Sequence, residues 1–141
     1  MLVDTEGNLL AVLVLDAHRS DREGALLLLR LYHAAYPELA LIWGDRHYGG
    51  RLVEEVQAKY GLRLQPVGKT PGQKGFVLLP RRWVIERTFG WLMRCRRLVR
   101  DYERDPGYSE AWIHLAMIHR SVKYLAPAAG APRPYQRRQV A

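Results

Sequence analysis

RRWVIERTFGWLMRCRRLVR, residues 81–100, decides how this chain is read. It holds seven arginines, two tryptophans and a single acid, Glu86. Wound at 3.6 residues per turn, Ile85, Phe89 and Leu92 form one ridge, with Thr88, Trp91, Cys95 and Leu98 beside it. That stripe suits a core. Arg82, Glu86, Gly90 and Arg97 share another face, with Met93 and Arg94 close by. A lone carboxylate then stands on a basic surface. Arginine this dense suits phosphate recognition, because the planar guanidinium matches phosphate oxygens as a fork. A carboxylate among the arginines repels phosphate unless a cation lies between them, and a divalent metal ion is one such cation. Two plainer readings fit the same pattern: a surface helix laced by salt bridges of Glu86 with Arg82 and Arg87, or a helix lying on a membrane surface. The helix alone leaves all three open.

The charge of the whole chain narrows them. Among 141 residues the formal net charge is +8. Residues 1–65 carry 7 basic and 9 acidic side chains, and residues 66–141 carry 15 basic and 5 acidic, a net of +10. An anionic partner therefore belongs to the C-terminal half, and nucleic acid suits such a balance. Cys95 is the only cysteine, which excludes an intrachain disulfide and a cysteine metal cluster and fits a cytoplasmic protein. MLVDTEGN has acids where a secretory leader needs basic residues, and no apolar run approaches the ~20 residues of a membrane span.

Working outward from the arginine helix, the preceding segments alternate between strand and helix patterns. Residues 1–3 and 9–15 are apolar and flank the turn Asp4 to Asn8, which predicts a β-hairpin with a very short first arm. Ser20 or Asp21 caps a helix over about 21–36, ended by Pro37. A buried strand is expected at 38–43, a helix at 50–60 stopped by Gly61, and a strand at 62–67. The crossover rule makes 38–43 parallel to 9–15. Residues 68–75 read as a basic loop and 76–79 as a short apolar segment before Pro80. Beyond the arginine helix, Ser109 is placed to cap a last helix over 110–125, with Trp112, Leu115, Ala116, Ile118 and Val122 facing inward. Residues 126–141, rich in Pro, Ala, Arg and Gln, are expected to be a disordered basic tail. The fold class is α/β, a mixed sheet flanked by helices.

Asp45 is the second candidate for chemistry. It follows a strand in GDRHYGG, residues 44–50, where open α/β sheets collect ligands, and glycines flank it. The plainer reading makes it a cap for the next helix. Asp45 and Glu86 sit on different elements, and carboxylates meeting from different elements can hold the metal ions that phosphodiester transfer uses. His18, His33, His114 and His119 share no metal-ligand spacing. A phosphate-binding GxxxxGK[ST] loop and a serine-hydrolase elbow are both missing.

GDRHYGG resembles the Asp-x-Gly-Tyr-x-Gly motif of bacterial insertion-sequence transposases of the DDE type, in which that Asp is the second catalytic acid. FVLLPRRWVIERTFGWLMRCRRLVRDYER, residues 76–104, resembles their C-terminal signature of an Arg, three residues and the catalytic Glu, here Arg82 and Glu86. LVDTEGNLLAVLVLDAHRSDREGA and SEAWIHLAMIHR resemble the segments before and after. The likeness covers about residues 2–125. It implies an RNase H-like catalytic domain, metal ligation by Asp45 and Glu86 with Mg²⁺ or Mn²⁺, phosphate contacts from Arg82, Arg87, Arg94, Arg96 and Arg97, and cleavage and strand transfer on insertion-sequence ends and target DNA.

This chain departs from that pattern at three places. His47 replaces a Gly or Ala, and Met93 stands seven after Glu86 where many relatives have a basic residue. The family's first catalytic Asp, on its first strand, has no counterpart, since Asp4 lies in a hairpin turn. The expectation is an N-terminally truncated catalytic domain over 1–125, inactive alone, which joins a transposase oligomer or a separate N-terminal half. The alternative is a non-catalytic DNA-binding fragment that pairs with or interferes with a full-length transposase.

Overall fold

The computed structural model describes residues 1–68 and 82–126, with Arg82 described in its backbone only. The expected segment at 76–79 lies outside these residues, as does the tail beyond Ala126. Among the described residues, four strands and four helices make a mixed α/β arrangement. They are β1 (Leu2–Val3), β2 (Leu9–Ala11), α1 (Asp21–Tyr32), β3 (Leu41–Asp45), α2 (Arg51–Tyr60), β4 (Arg63–Val67), α3 (Arg82–Leu92) and α4 (Pro106–Leu125). Single turns of 3-10 helix cover His33–Ala35, Arg46–Tyr48 and Arg96–Leu98.

The strands form two small sheets. β1 and β2 pair antiparallel, and β3 and β4 pair parallel, with Leu41 opposite Arg63 and Asp45 opposite Val67. The crossover expectation fails because β2 and β3 do not share a sheet. β2 is also shorter than its apolar run. Beyond Ala11 the chain leaves the ladder, and the Val14 N–H donates to the Glu110 carboxylate at 2.8 Å instead.

The core lies where α1 and α2 cover the parallel pair. Leu29, Leu52, Val56, Leu62 and Leu64 are buried together, with Ile42 and Tyr48 against them. Helix α1 starts at Ser20, whose hydroxyl accepts from the Glu23 N–H while the Glu23 carboxylate accepts from the Ser20 N–H, a reciprocal cap. Ser20→Ala should cost about 1 kcal/mol, read as a lower urea midpoint at unchanged slope. α1 tightens into the 3-10 turn before Pro37, and the Tyr36 hydroxyl donates to the Leu10 carbonyl at 2.5 Å, tying this end to the hairpin. Gly61 ends α2 in the left-handed region, as its position predicted.

Two helices differ from expectation. α3 stops at Leu92 rather than continuing to 99, so Arg97 leaves the face of Glu86 and sits on the 3-10 turn that follows. Its buried residues are Thr88 and Leu92, whereas Phe89 of the expected ridge is 51% exposed. α4 begins at Pro106, four residues before the expected start at 110, and is capped by Asp105 rather than Ser109, the Asp105 carboxylate accepting from the Gly107 N–H. Its buried residues are Ser109 and Met117, while Leu115, Ile118 and Val122 face outward.

Candidate active site

Asp45 is the last residue of β3, and the chain turns at once through Arg46–Tyr48. Its carboxylate caps neither that turn nor α2, whose N-cap is Gly50 with no side-chain bond. The capping explanation for Asp45 is therefore not realised. The carboxylate is partly exposed, and one oxygen lies 3.3 Å from His47 Nδ1. Tyr48 folds back over Gly44, so closely that a Cβ there would come within 3.1–3.3 Å of Tyr48 carbons. Burial raises the Tyr48 phenol above its ordinary value, and the charges of Asp21 and then Asp45 raise it further. The N-terminus of α1 thus reaches the strand end as well. Asp21 and Tyr48 belong to this neighbourhood although the spacing of Asp21 did not suggest it.

Glu86 is exposed on α3, and α3 packs against β3. The helix that carries Glu86 therefore lies beside the strand that ends in Asp45. What holds that helix is its other side. Thr88, wholly buried, donates from its hydroxyl to the carbonyls of Gly7 (3.1 Å) and Val84 (3.0 Å). Arg87 donates to the Glu6 carbonyl at 2.8 Å, with its guanidinium 4.2 Å from the Trp83 ring centre and 4.7 Å from that of Trp91. Arg120 of α4 lies 3.5 Å from the Trp91 ring centre and donates to Asn8 Oδ1 at 3.0 Å. Guanidinium and indole thus alternate along α3 and onto α4, and the hairpin turn is clamped to both helices.

The arginines fall into two groups. Arg87 is engaged in that stack, with its Nε buried and without a hydrogen bond. Arg97 is bound to Glu103, which also accepts from the Trp112 indole N–H at 3.1 Å. Arg94 and Arg96 are exposed. The side chain of Arg82 lies outside the described residues. Asp4 accepts from the Glu6 N–H, the Asn8 N–H and the Asn8 side-chain amide, each at 2.8 Å, so its carboxylate builds the turn. Among the described residues no group of three or more His, Cys, Asp or Glu side chains is arranged to hold a metal ion.

The family model for the transposase DDE domain matches residues 1–120. The chain belongs to the transposase DDE domain family. No curated protein and no solved structure gives a significant match. This transposase domain contains the hairpin, both faces of the β3 end and most of α4 within the matched span. Membership associates it with DNA cleavage and transfer in transposition and hence with DNA as partner. No helix among the described residues is long and apolar enough to cross a membrane.

Proposed function

We propose that this chain supplies two of the three acids of a bacterial insertion-sequence transposase, within an RNase H-like catalytic domain spanning 1–125 and followed by a basic tail. The observation that carries this reading is the packing of α3, bearing Glu86, against β3, ending in Asp45. Both residues are hard oxygen donors reachable from solvent, the donor type that Mg²⁺ or Mn²⁺ takes together with water and phosphate oxygens. When bound, such an ion neutralises phosphate charge and lowers the pKa of the attacking water. Asp45 and Glu86 would hold it from two elements, and Glu86 would orient the nucleophile. Arg94, Arg96 and Arg97, with Arg82, would grip the DNA backbone, while Arg87 keeps α3 on the hairpin.

The third acid would come from a strand outside residues 1–141. Asp4 is committed to its turn. The isolated chain should then give at most trace cleavage of DNA with Mg²⁺. Fusing an aspartate-bearing strand ahead of Leu2 should raise cleavage and strand transfer, and Glu86→Gln should remove both. Robust cleavage by the unfused chain, lost in Glu86→Gln, would show that no third acid is missing.

The incomplete acid set favours a second reading, a cytoplasmic DNA-binding fragment that pairs with or interferes with a full-length transposase. Metal-independent binding that survives Asp45→Asn and Glu86→Gln would select it. Both readings need phosphate contacts. With four from Arg82, Arg94, Arg96 and Arg97, affinity for duplex DNA should fall about 150-fold from ~50 to ~200 mM salt. Fluorescence anisotropy measures this, and a flat profile would remove phosphate contact as the basis of binding.

A further inference from the structure

The turn after β3 sets a nitrogen donor beside Asp45. Asp45 ends the strand, and Arg46–Tyr48 make a single 3-10 turn closed by the Gly49 N–H, which donates to the Arg46 carbonyl at 3.0 Å. The far side of that turn is fixed. Tyr48 packs on the core cluster and folds against Gly44, and a Cβ at Gly49 would stand 3.5 Å from Pro66 of β4. Between Asp45 and these anchors His47 turns outward. Its side chain is 69% exposed, yet Nδ1 lies 3.3 Å from one oxygen of the Asp45 carboxylate. The motif that GDRHYGG resembles has Gly or Ala at this position, so the imidazole is a feature of this chain.

Three roles compete for that imidazole. An ion pair with Asp45 at so exposed a place would contribute little stability. A phosphate contact needs a positive ring, and the exposed Arg46 beside it already offers a permanent cation. The third role is metal ligation, and the spacing favours it. Two donor atoms each ~2.1 Å from one ion, at right angles across it, lie about 3 Å apart. The observed 3.3 Å is close to that separation, and the donors stand on a strand end and a tight turn rather than on a long loop. The remaining positions around an ion would fall to Glu86, water and phosphate oxygens. The consequence is selectivity. Mg²⁺ takes oxygen donors and keeps its water, whereas an imidazole nitrogen gains affinity for divalent ions of the first transition row.

We propose that His47 is a further ligand at the Asp45 metal site and sets its preference for a transition ion such as Mn²⁺ over Mg²⁺. The inference rests on the catalytic reading, in which Asp45 binds metal. Its test reads binding and spectra rather than activity. The full chain is titrated with Mn²⁺, followed by the electron paramagnetic resonance signal of the free ion, and Mg²⁺ is then added as competitor. His47→Ala, at an exposed position, should weaken Mn²⁺ binding by about 10-fold or more without weakening Mg²⁺, so the preference between the two ions falls by the same factor. Electron spin echo modulation of bound Mn²⁺ should show coupling to an imidazole nitrogen. That coupling should vanish in His47→Ala and persist in His119→Ala, a change at an exposed histidine of α4. If Asp45→Asn weakens Mn²⁺ binding but the wild type shows no imidazole coupling, this inference fails and the catalytic reading stands. An unchanged ion preference in His47→Ala overturns it in the same way. If the chain binds no Mn²⁺, or binds it regardless of Asp45→Asn, both fall together.

Discussion

Asp45→Asn and Glu86→Gln should each weaken Mn²⁺ binding by more than about 100-fold, since removing even a group that only supports a metal ligand costs 10- to 100-fold. Both substitutions keep the size and shape of the side chain and remove its charge. Circular dichroism of each variant checks that the fold is kept. Titration followed by the electron paramagnetic resonance signal of free Mn²⁺ measures the affinity directly. The double variant should bind no better than either single one. Asp105→Asn, which alters the cap of α4 far from β3, should leave the affinity unchanged. If either Asp45→Asn or Glu86→Gln binds Mn²⁺ as the wild type does, the two carboxylates do not share an ion. The catalytic reading would then reduce to family membership.

Gly7→Val is expected to destabilise the domain by about 3–4 kcal/mol, the combined size of a left-handed backbone penalty and an overpacked core position. Gly7 has φ +81°, a conformation that β-branched residues almost never adopt. It is also buried against α3. A Cβ at this position would stand 2.7 Å from Thr88 Oγ1 and 2.9 Å from the Trp91 ring. Thr88 is itself held by the Gly7 carbonyl, so relieving the clash breaks the bond that docks the helix. A loss of this size is a large part of the stability of an ordinary domain and should appear as a clear drop in melting temperature. The damage should also reach the site, because Glu86 is placed by the helix that this turn holds. Thermal unfolding by circular dichroism checks the first effect, and weaker Mn²⁺ binding below the new melting temperature checks the second. A variant as stable as the wild type would mean that α3 is held to the hairpin by something other than this contact.

Much of the architecture was legible residue by residue. Ser20 and Gly61 bounded their helices because capping and left-handed termination are local chemistry, decided within a few residues. Asp45 was placed at a strand end by the apolar run before it and the glycines after it. The failures share a cause. The apolar run at 9–15 has the pattern of one strand, but Glu110, almost a hundred residues away, takes the backbone of Val14. The pattern of the arginine helix continues to 99, although α3 ends at Leu92. Periodicity records which residues share a face while a helix lasts and carries no mark of where a later turn begins. Phe89, Leu115, Ile118 and Val122 are expected in the core and lie exposed, because apolar character alone does not say which of two apolar faces is covered.

Arg87 shows the same division most clearly. Its place in a dense arginine run made it a phosphate contact, and nothing in the order of residues separated it from Arg94 or Arg96. Its guanidinium instead lies between two indoles and on the carbonyl of Glu6, partners supplied by one helix turn on either side and by a hairpin eighty residues earlier.

The sequence by itself determined the charge asymmetry, the α/β alternation, the cap residues and the motifs around Asp45 and Glu86, since each depends on neighbours along the chain. Only the tertiary structure decided that Arg87 and Arg120 pack on Trp91, that α3 lies against β3, and which side of α4 the other described residues cover. Those outcomes follow from contacts between segments far apart in the chain, where shape and hydrogen-bond geometry select among side chains that composition treats as equal.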